Sequence, residues 1–321
     1  MANEACFPYN DNSKGVNNMP QTASPFRYPG GKSQLYPFIV NLLSLNNING
    51  TYIEPFAGGA GVAIKLLLNN KVSKIWINDY DKAIYSTWFH ILNDPIKMIE
   101  MINSVPFDYN GGHTYNKTAS INFWKQEKEI YTIQKDQKDS LELAFATLFL
   151  NRTNRSGIIS GGPIGGMNQE NQTQIYARFN KKTLSQKINR ISQLKDKIRL
   201  TNYDALDLIN LIQRESSPDN TFIFFDPPYF KQGSGLYFTS FNNEGHKTLA
   251  KKIVKLKDRY WITTYDVDPH IIEYFKNNKK KYSYELKYSA NNKRRGKAPE
   301  LLFASPNLKI ESYNNVHLAT I

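Results

Sequence analysis

The feature that most constrains the fold is a strand-like segment that passes through a glycine-rich turn into a helical segment. Residues 51–56 read TYIEPF and have strand composition, residues 57–61 read AGGAG, and residues 62–68 have helical composition. A second strand-like segment follows at 74–78, and a second helical one at 82–92. Parallel strands need crossover connections, so this βαβα order predicts a parallel sheet covered by helices.

The remaining chain divides into a helical stretch and a resumed alternation. Residues 95–150 predict helices only, including 123–134 and 140–150; residues 151–180 are rich in Gly, Asn and Gln, and a basic helix is predicted at 181–197. Further strands are predicted at 198–202, 221–225 and 260–264 and near 282–288 and 301–304, with helices at 244–256 and 269–277. We therefore expect a flexible leader over 1–24, a catalytic domain from 25–92 and 198–321, and an insertion over 93–197.

Composition narrows the choice of partner and compartment. The chain carries 41 Lys and Arg against 28 Asp and Glu, a net charge of +13. This balance favours a polyanion such as nucleic acid, and a charge that serves only solubility is an equal alternative. No run approaches the roughly 18 apolar residues of a membrane-spanning helix, and a single cysteine cannot form an internal disulfide. These features predict a soluble cytoplasmic protein with no membrane partner.

The glycine-rich turn is a candidate nucleotide site. Three glycines between a strand and a helix let a ligand approach the backbone and the helix N-terminus, although such turns are also common for purely structural reasons. Asp79 follows the next strand, 21 positions after Gly58. At a spacing of about 20, an acidic residue can bind ribose hydroxyls. The glycines are not followed by Lys-Ser or Lys-Thr, so a phosphate-binding P-loop is not expected.

A second candidate site begins at Asp226. The sequence Asp226-Pro227-Pro228-Tyr229 follows directly after the apolar strand TFIFF. The prolines fix the backbone and remove N–H groups, so carbonyls and the Asp carboxylate are left as acceptors at the strand end where open α/β sheets bind ligands. A proline turn with a capping Asp is the structural alternative, and the position after an apolar strand favours a site. Near the N-terminus, residues 26–32 read FRYPGGK and place Lys32 after two glycines.

Taken together, these motifs resemble the Dam-like family of adenine-specific DNA methyltransferases. The family shows, in this order, a PGGK-type segment, an EPF-x-G-x-G loop, an acidic residue after the second strand, a helical insertion and DPPY, and the resemblance covers roughly residues 26–305. It implies an α/β, Rossmann-like S-adenosylmethionine-dependent methyltransferase sheet with an inserted, mainly helical target-recognition domain. It also implies methyl transfer from S-adenosylmethionine to the exocyclic amine of a flipped adenine in double-stranded DNA, with a cognate restriction endonuclease as a candidate partner.

The same resemblance implies roles for individual residues. The catalytic residues would be Asp226, Pro227, Pro228 and Tyr229. The cofactor-binding residues would be Tyr28, Lys32, Phe56, Gly58, Gly61, Asp79, Tyr203, Asp204 and Asp226. The adenine amino nitrogen is a poor nucleophile because its lone pair is delocalised; accepting its hydrogens at Asp226 and Pro227 would aim that lone pair at the methyl group. Tyr229 offers a stacking face for the flipped base. No metal is implied, and the five histidines form no ligand-spaced cluster.

Basic residues in two segments are candidates for DNA contact. Arg152, Arg155 and Arg178 lie in the Gly- and Asn-rich stretch, and Lys293, Arg294 and Arg295 form a basic run. The first three could contact phosphate or guanine or could order the loop by hydrogen bonding, and a charge run is often only solvated. Where GATC-methylating members carry Tyr-Asn-Gly-Leu, this chain has Arg155-Ser156-Gly157-Ile158, so GATC recognition is not expected.

Several other functions remain as alternatives. Methylation of the cytosine exocyclic amine uses a related motif that usually begins with Ser, and Asp226 argues against it. A non-catalytic DNA-binding or specificity subunit on the same scaffold is disfavoured by the intact Asp226 and Tyr229. RNA or protein methylation fits the long Arg- and Asn-containing loop less well.

Overall fold

A mixed sheet of eight strands forms the centre of the described part of the chain. The computed structural model describes residues 22–27, 32–230, 242–287 and 297–321. The strands are β1 (Thr51–Glu54), β2 (Lys74–Asn78), β3 (Ile198–Thr201), β4 (Thr221–Phe225), β5 (Tyr260–Asp266), β6 (Lys280–Lys287), β7 (Lys297–Ala304) and β8 (Ala319–Thr320). Their spatial order is β3-β2-β1-β4-β5-β7-β6-β8. The first five run parallel, and the last three are joined by antiparallel pairings.

Helices cover both faces of this sheet. They are α1 (Tyr36–Leu45), α2 (Gly61–Leu68), α3 (Lys82–Asn93), α4 (Pro95–Ser104), α5 (Lys117–Gln134), α6 (Leu141–Thr153), α7 (Lys181–Ser192), α8 (Ala205–Glu215), α9 (Asn243–Lys255) and α10 (Pro269–Tyr274). Short polar side chains cap the N-termini of many of these helices. At the start of α3, for example, the Asp81 carboxylate accepts hydrogen bonds from the amides of Ala83 and Ile84. Such caps satisfy backbone donors that have no partner within the helix.

Two apolar clusters, one on each face, hold the helices to the sheet. Residues alternate across a strand, so Phe222 and Phe224 of β4 enter the cluster shared with α1–α7, whereas Ile223 and Phe225 enter the cluster shared with α8–α10. A strand buried on both faces is apolar throughout, as β4 is. The α/β class and the Rossmann-like parallel sheet expected from the sequence are confirmed.

The segment between β2 and β3 consists of helices and an irregular loop. Its apolar side chains, such as Phe145 and Phe149 of α6, belong to the same cluster as the sheet face, so the core continues from the sheet into this segment. Two buried amides order the loop over 151–180. Asn154 Nδ2 donates to the carbonyls of residues 158, 159 and 161, and Gln169 Nε2 donates to those of residues 164 and 166. The loop has few apolar residues to pack, so these side-chain hydrogen bonds hold its conformation instead.

Element boundaries depart from the sequence-based predictions in a few places. The predicted basic helix ends at Ser192, and a separate 3₁₀ turn occupies Lys195–Lys197. The helix predicted to reach residue 277 ends at Tyr274. Helices α1 and α8 and strand β8 were not predicted. Residues 1–21 of the predicted leader lie outside the described residues, and the division into catalytic and target-recognition domains stays a prediction. None of the described helices is both long and apolar enough to cross a membrane.

Candidate active site

The strand order reverses direction between β1 and β4. From β1 the chain proceeds outward to β2 and then β3, and after returning to β4 it proceeds the other way to β5. In open α/β sheets, ligands bind in the crevice outside the carboxyl ends of the strands at such a reversal. The glycine-rich turn follows β1 and the Asp226 motif follows β4. Both sequence motifs therefore lie at the switch point of the sheet.

The glycine-rich turn depends on close approach of backbone. Gly58 has a φ of 46°, in the left-handed region that glycine adopts without steric cost. At Gly61, an added Cβ would lie 2.8 Å from Ser33 Oγ, so the 3₁₀ turn over Lys32–Leu35 packs directly on the start of α2. The Trp88 indole of α3 donates a hydrogen bond of 2.9 Å to the Gly58 carbonyl. The end of the PGGK-type segment and the glycine turn are thus brought together.

Asp79 faces the glycine turn from the end of β2. One carboxylate oxygen accepts a hydrogen bond of 2.7 Å from the Gly58 amide, and the other accepts one of 3.0 Å from the Asp81 amide. Burial, reinforced by the nearby charge of Asp81, raises the pKa of Asp79 to about 7. A carboxylate with two oxygens keeps acceptor capacity beyond these two bonds.

Asn78 lies among the predicted cofactor residues, although the sequence analysis did not single it out. Its buried amide nitrogen donates to the carbonyls of Pro55 and Tyr203, each at 3.0 Å, and its oxygen accepts from the Tyr203 amide at 2.9 Å. These bonds join the segments that follow β1, β2 and β3. The available indication was a polar residue directly before Asp79 at the end of an otherwise apolar strand.

The remaining cofactor candidates lie around the same edge with different degrees of exposure. The Tyr203 side chain is 48% exposed just after β3. The Asp204 carboxylate caps α8 by accepting a hydrogen bond of 2.8 Å from Leu206. Phe56 packs partly against the second apolar cluster. An exposed aromatic ring and a carboxylate acceptor beside a tight glycine turn fit a nucleoside-containing cofactor.

Asp226 stands at the carboxyl end of β4 with a quarter of its side chain open. One oxygen accepts a hydrogen bond of 2.8 Å from the Thr264 hydroxyl of β5 and lies 3.7 Å from Lys32 Nζ, and the side chain is 26% exposed. Burial raises the pKa of Asp226 above its usual value, and the charge of Lys32 opposes that rise. Pro227 is buried and Pro228 is partly exposed.

Tyr229 is bound to a buried acid that the sequence did not reveal. Its hydroxyl donates a hydrogen bond of 2.5 Å to Glu300 Oε1 and accepts one from Lys32. The Tyr284 hydroxyl donates to the other Glu300 oxygen at 2.5 Å. Lys32 Nζ lies 3.1 Å from both Glu300 oxygens. Glu300, on β7, has only 2% of its surface exposed. The cluster around Asp226 therefore contains the predicted residues Lys32, Asp226 and Tyr229. It also contains three residues that were not predicted: Thr264, Tyr284 and Glu300.

The arginines predicted to contact DNA differ in their surroundings. Arg152 donates from Nε and Nη2 to the Arg178 carbonyl at 2.9 and 2.5 Å, and burial together with the charges of Arg27 and Arg178 lowers the pKa of Arg152 to about 9. Arg155 is exposed and Arg178 is partly exposed. Tyr28, Lys293, Arg294 and Arg295 lie outside the described residues.

The fold defines the class: an open α/β sheet with a glycine-rich turn and an acidic motif side by side at its switch point. The model of the D12 class N6 adenine-specific DNA methyltransferases matches residues 28–300, and the chain belongs to this family. It is therefore a methyltransferase that acts on adenine in DNA, with S-adenosylmethionine as the methyl donor. Within the described part of the chain, no group of three or more His, Cys, Asp or Glu side chains could hold a metal ion.

Individual relatives are distant. The chain is 25% identical over 246 residues to the type II methyltransferase M.MjaIII of Methanocaldococcus jannaschii, which covers 73% of this chain and 81% of that protein. It is 24% identical over 227 residues to the type II methyltransferase M1.LlaDCHI of Lactococcus lactis subsp. cremoris, covering 69% and 71%. Among solved structures, the rRNA methyltransferase aviRa from Streptomyces viridochromogenes aligns over 86% of both chains with 13% identity and a TM-score of 0.34.

Proposed function

We propose that the residues after β4 form the methyl-transfer centre and that the ends of β1, β2 and β3 bind the cofactor. The observation that carries this assignment is the position of the Asp226 motif beside the glycine turn at the switch point of the sheet. Open α/β sheets bind their ligands at that place. A cofactor on one side and an acceptor group on the other give a site for group transfer between them.

The cofactor side uses backbone and acceptor groups. S-adenosylmethionine, when bound, supplies a methyl group activated by a positively charged sulfur. Asp79 accepts hydrogen bonds from the ribose hydroxyls, and the exposed Tyr203 ring borders the base. The other cofactor-binding residues that the family resemblance implies are Tyr28, Lys32, Phe56, Gly58, Gly61, Asp204 and Asp226.

The Asp226 side positions and activates the target base. The Asp226 carboxylate and the Pro227 carbonyl accept the two amino hydrogens of adenine, which directs the nitrogen lone pair away from the ring. Thr264 and Lys32 hold the carboxylate in place. Burial raises the pKa of Asp226, so it accepts the proton that the nitrogen releases more readily than an ordinary Asp would. Pro228 stiffens the turn, and Tyr229 stacks on the flipped base.

DNA contact is assigned to the basic side chains of the inserted segment. The exposed Arg155 and the partly exposed Arg178 contact phosphate or guanine, whereas Arg152 orders the loop through its bonds to the Arg178 carbonyl. Lys293, Arg294 and Arg295 add phosphate contacts on the basis of sequence alone. The net charge of +13 favours association with double-stranded DNA.

A biological setting follows from the two curated relatives. Both are named type II methyltransferases. On that basis we propose that this enzyme modifies one short sequence in the cytoplasm and protects it from a cognate restriction endonuclease.

The direct test is to identify the methylated base and its sequence context. Unmethylated bacterial genomic DNA is incubated with the protein and S-adenosylmethionine, then analysed by nucleoside mass spectrometry and by sequencing of modified bases. We expect N6-methyladenine in one sequence motif, formed at a much lower rate by Asp226→Asn. Asp258→Asn is the matched control, because Asp258 is 65% exposed and precedes β5 at the opposite edge of the sheet. An Asp226→Asn enzyme that methylates normally contradicts the assignment of the catalytic centre.

A further inference from the structure

Glu300 is a buried acid whose two oxygens meet three hydrogen-bond donors from three distant parts of the chain. Lys32 comes from the N-terminal turn, Tyr229 from the loop after β4 and Tyr284 from β6. Lys32 and Glu300 are 268 positions apart. A charged side chain with 2% exposure is costly to bury unless it is paired and fully hydrogen-bonded, and these donors meet that requirement.

We propose that Glu300 is a positioning residue for methyl transfer, fixing Lys32 and Tyr229 beside Asp226 without touching the target base itself. The inference rests on the proposed catalytic role of Asp226. Strand β7 contributes no residue that was predicted for the site. In this proposal, β7 supplies the side chain that holds Lys32 and Tyr229 in place.

Lys32 is held between Glu300 and Asp226. Its ammonium lies 3.1 Å from both Glu300 oxygens and 3.7 Å from Asp226, so it is shared unequally between two acids. The Lys32 side chain is 3% exposed, so solvent screens this arrangement little. Glu300 thus sets how much of the Lys32 charge acts on Asp226, and it adds a negative charge of its own nearby.

Glu300 also anchors the Tyr229 hydroxyl. A phenol that donates a hydrogen bond of 2.5 Å to a buried carboxylate is restricted in both side-chain torsions, because the hydroxyl is anchored at the far end of the ring. A ring held in this way presents a fixed face to a base that leaves the duplex. The second Glu300 oxygen is fixed by Tyr284, so the anchor itself is rigid.

Other groups also face Asp226 and must be accounted for in any measurement of pH dependence. They are Lys32 from the N-terminal turn, Tyr52 and Glu54 from β1, Tyr229 after β4, Thr264 and Tyr265 from β5, Tyr284 from β6 and Glu300 from β7. Burial raises the pKa of Glu54 to about 8. Glu54 can therefore contribute to a rate profile, and the change between wild type and a Glu300 variant is the quantity that reports Glu300.

The test is the pH profile of single-turnover methylation by Glu300→Gln. Unmethylated genomic DNA is the substrate, with enzyme in excess and S-adenosylmethionine saturating at every pH. Removing the negative charge and releasing Lys32 toward Asp226 both favour the ionised Asp226, so the acid limb should move to lower pH by about one unit. The plateau rate should fall about tenfold or more, because Tyr229 and Lys32 lose their common anchor. A residue that served folding alone would lower the rate without moving the limb.

Two further variants separate the effect of the charge at position 300 from the effect of side-chain length. Glu300→Asp keeps the charge but is shorter by one methylene, so we expect an acid limb like that of the wild type and a reduced plateau; this variant also serves if Glu300→Gln does not fold. Glu311→Gln is the matched control, since Glu311 is exposed and accepts a surface hydrogen bond of 3.3 Å from Asn41, and this variant should leave both quantities unchanged.

The possible outcomes distinguish this inference from the catalytic assignment. An unmoved acid limb in Glu300→Gln, or a normal plateau in Glu300→Asp, overturns the role of Glu300 while Asp226→Asn still shows a lost rate. A normal rate in Asp226→Asn overturns the catalytic assignment and, with it, the inference about Glu300.

Discussion

The cofactor edge and the Asp226 cluster lie side by side but are built in different ways. The cofactor edge that we propose, formed by Gly58, Asn78, Asp79 and Tyr203, uses one carboxylate, one neutral side-chain amide and backbone groups to join the ends of neighbouring strands. The Asp226 cluster, formed by Lys32, Asp226, Tyr229, Tyr284 and Glu300, uses buried ionisable side chains that converge from distant parts of the chain.

This contrast has a functional meaning. A framework of backbone groups with a single carboxylate mainly fixes shape, so changes at this edge should alter affinity for S-adenosylmethionine. A cluster of buried charges fixes protonation and orientation, so changes there should alter the rate of the chemical step. The mutations below either separate these two effects or show that the two regions are not distinct.

The largest effect is expected from Asp226→Asn. The amide keeps the shape and one acceptor but removes the charge that stabilises the nitrogen as it becomes positive. Single-turnover methylation should therefore slow by on the order of a hundredfold or more. Affinities for S-adenosylmethionine and DNA, measured by calorimetry and by fluorescence anisotropy, should change little. A large loss of either affinity would mean that Asp226 acts mainly in binding.

Asp79→Ala should weaken cofactor binding while the fold is retained. It removes a charged acceptor at the end of β2, a loss of about 1.5 to 3 kcal/mol in binding free energy. This corresponds to a roughly 10- to 150-fold higher dissociation constant for S-adenosylmethionine in calorimetry. Asp258→Ala, at an exposed position, provides the comparison. An unchanged dissociation constant in Asp79→Ala would remove this residue from the cofactor site.

Cofactor binding should also depend on pH through Asp79. Its pKa is raised to about 7, so the carboxyl group is largely protonated below that pH and cannot accept well from ribose hydroxyls. Affinity should therefore rise as pH increases, by up to about tenfold from about pH 6 to about pH 8. S-adenosylmethionine titrates in this range too, so the informative quantity is the difference between wild type and Asp79→Asn. Parallel profiles for the two proteins would contradict the assignment.

The smallest effect is expected from Arg155→Ala. Arg155 is exposed, so its loss should leave the loop intact and weaken DNA binding by about three- to tenfold. If Arg155 contacts phosphate, the slope of log affinity against log salt concentration should become shallower by about one. A loss confined to one base position would instead identify a base contact. Arg214→Ala, an exposed arginine in the last turn of α8, should have no effect on either measurement.

The sequence predicted the elements around the glycine turn well because their geometry is local. The β1 strand, the turn at Gly58 and helix α2 are continuous in the chain, and Asp79 follows within the next strand. Helix α8 was missed although a capping Asp204 and apolar residues at helical spacing, including Leu208 and Ile212, were present. Asp226 was identified because an apolar strand directly precedes it.

The Asp226 cluster was only half predictable, for a physical reason. Glu300 reads in the sequence as one acid within a strand, and its partners Lys32 and Tyr284 become apparent only when β7 pairs between β5 and β6. Register, not composition, decides which face of a strand a side chain occupies. Asn78 was missed for a related reason, because a neutral amide carries no distinctive spacing.

The most direct test of the division between the two regions measures both quantities on both variants. Asp79→Ala and Asp226→Asn are compared with wild type for the dissociation constant of S-adenosylmethionine and for the single-turnover methylation rate at saturating cofactor. We predict that Asp79→Ala binds weakly but recovers a rate within a few-fold of wild type, whereas Asp226→Asn binds normally and stays slow at every cofactor concentration. If Asp79→Ala remained as slow as Asp226→Asn at saturation, or if Asp226→Asn were restored by excess cofactor, the separation of binding from chemistry would be wrong.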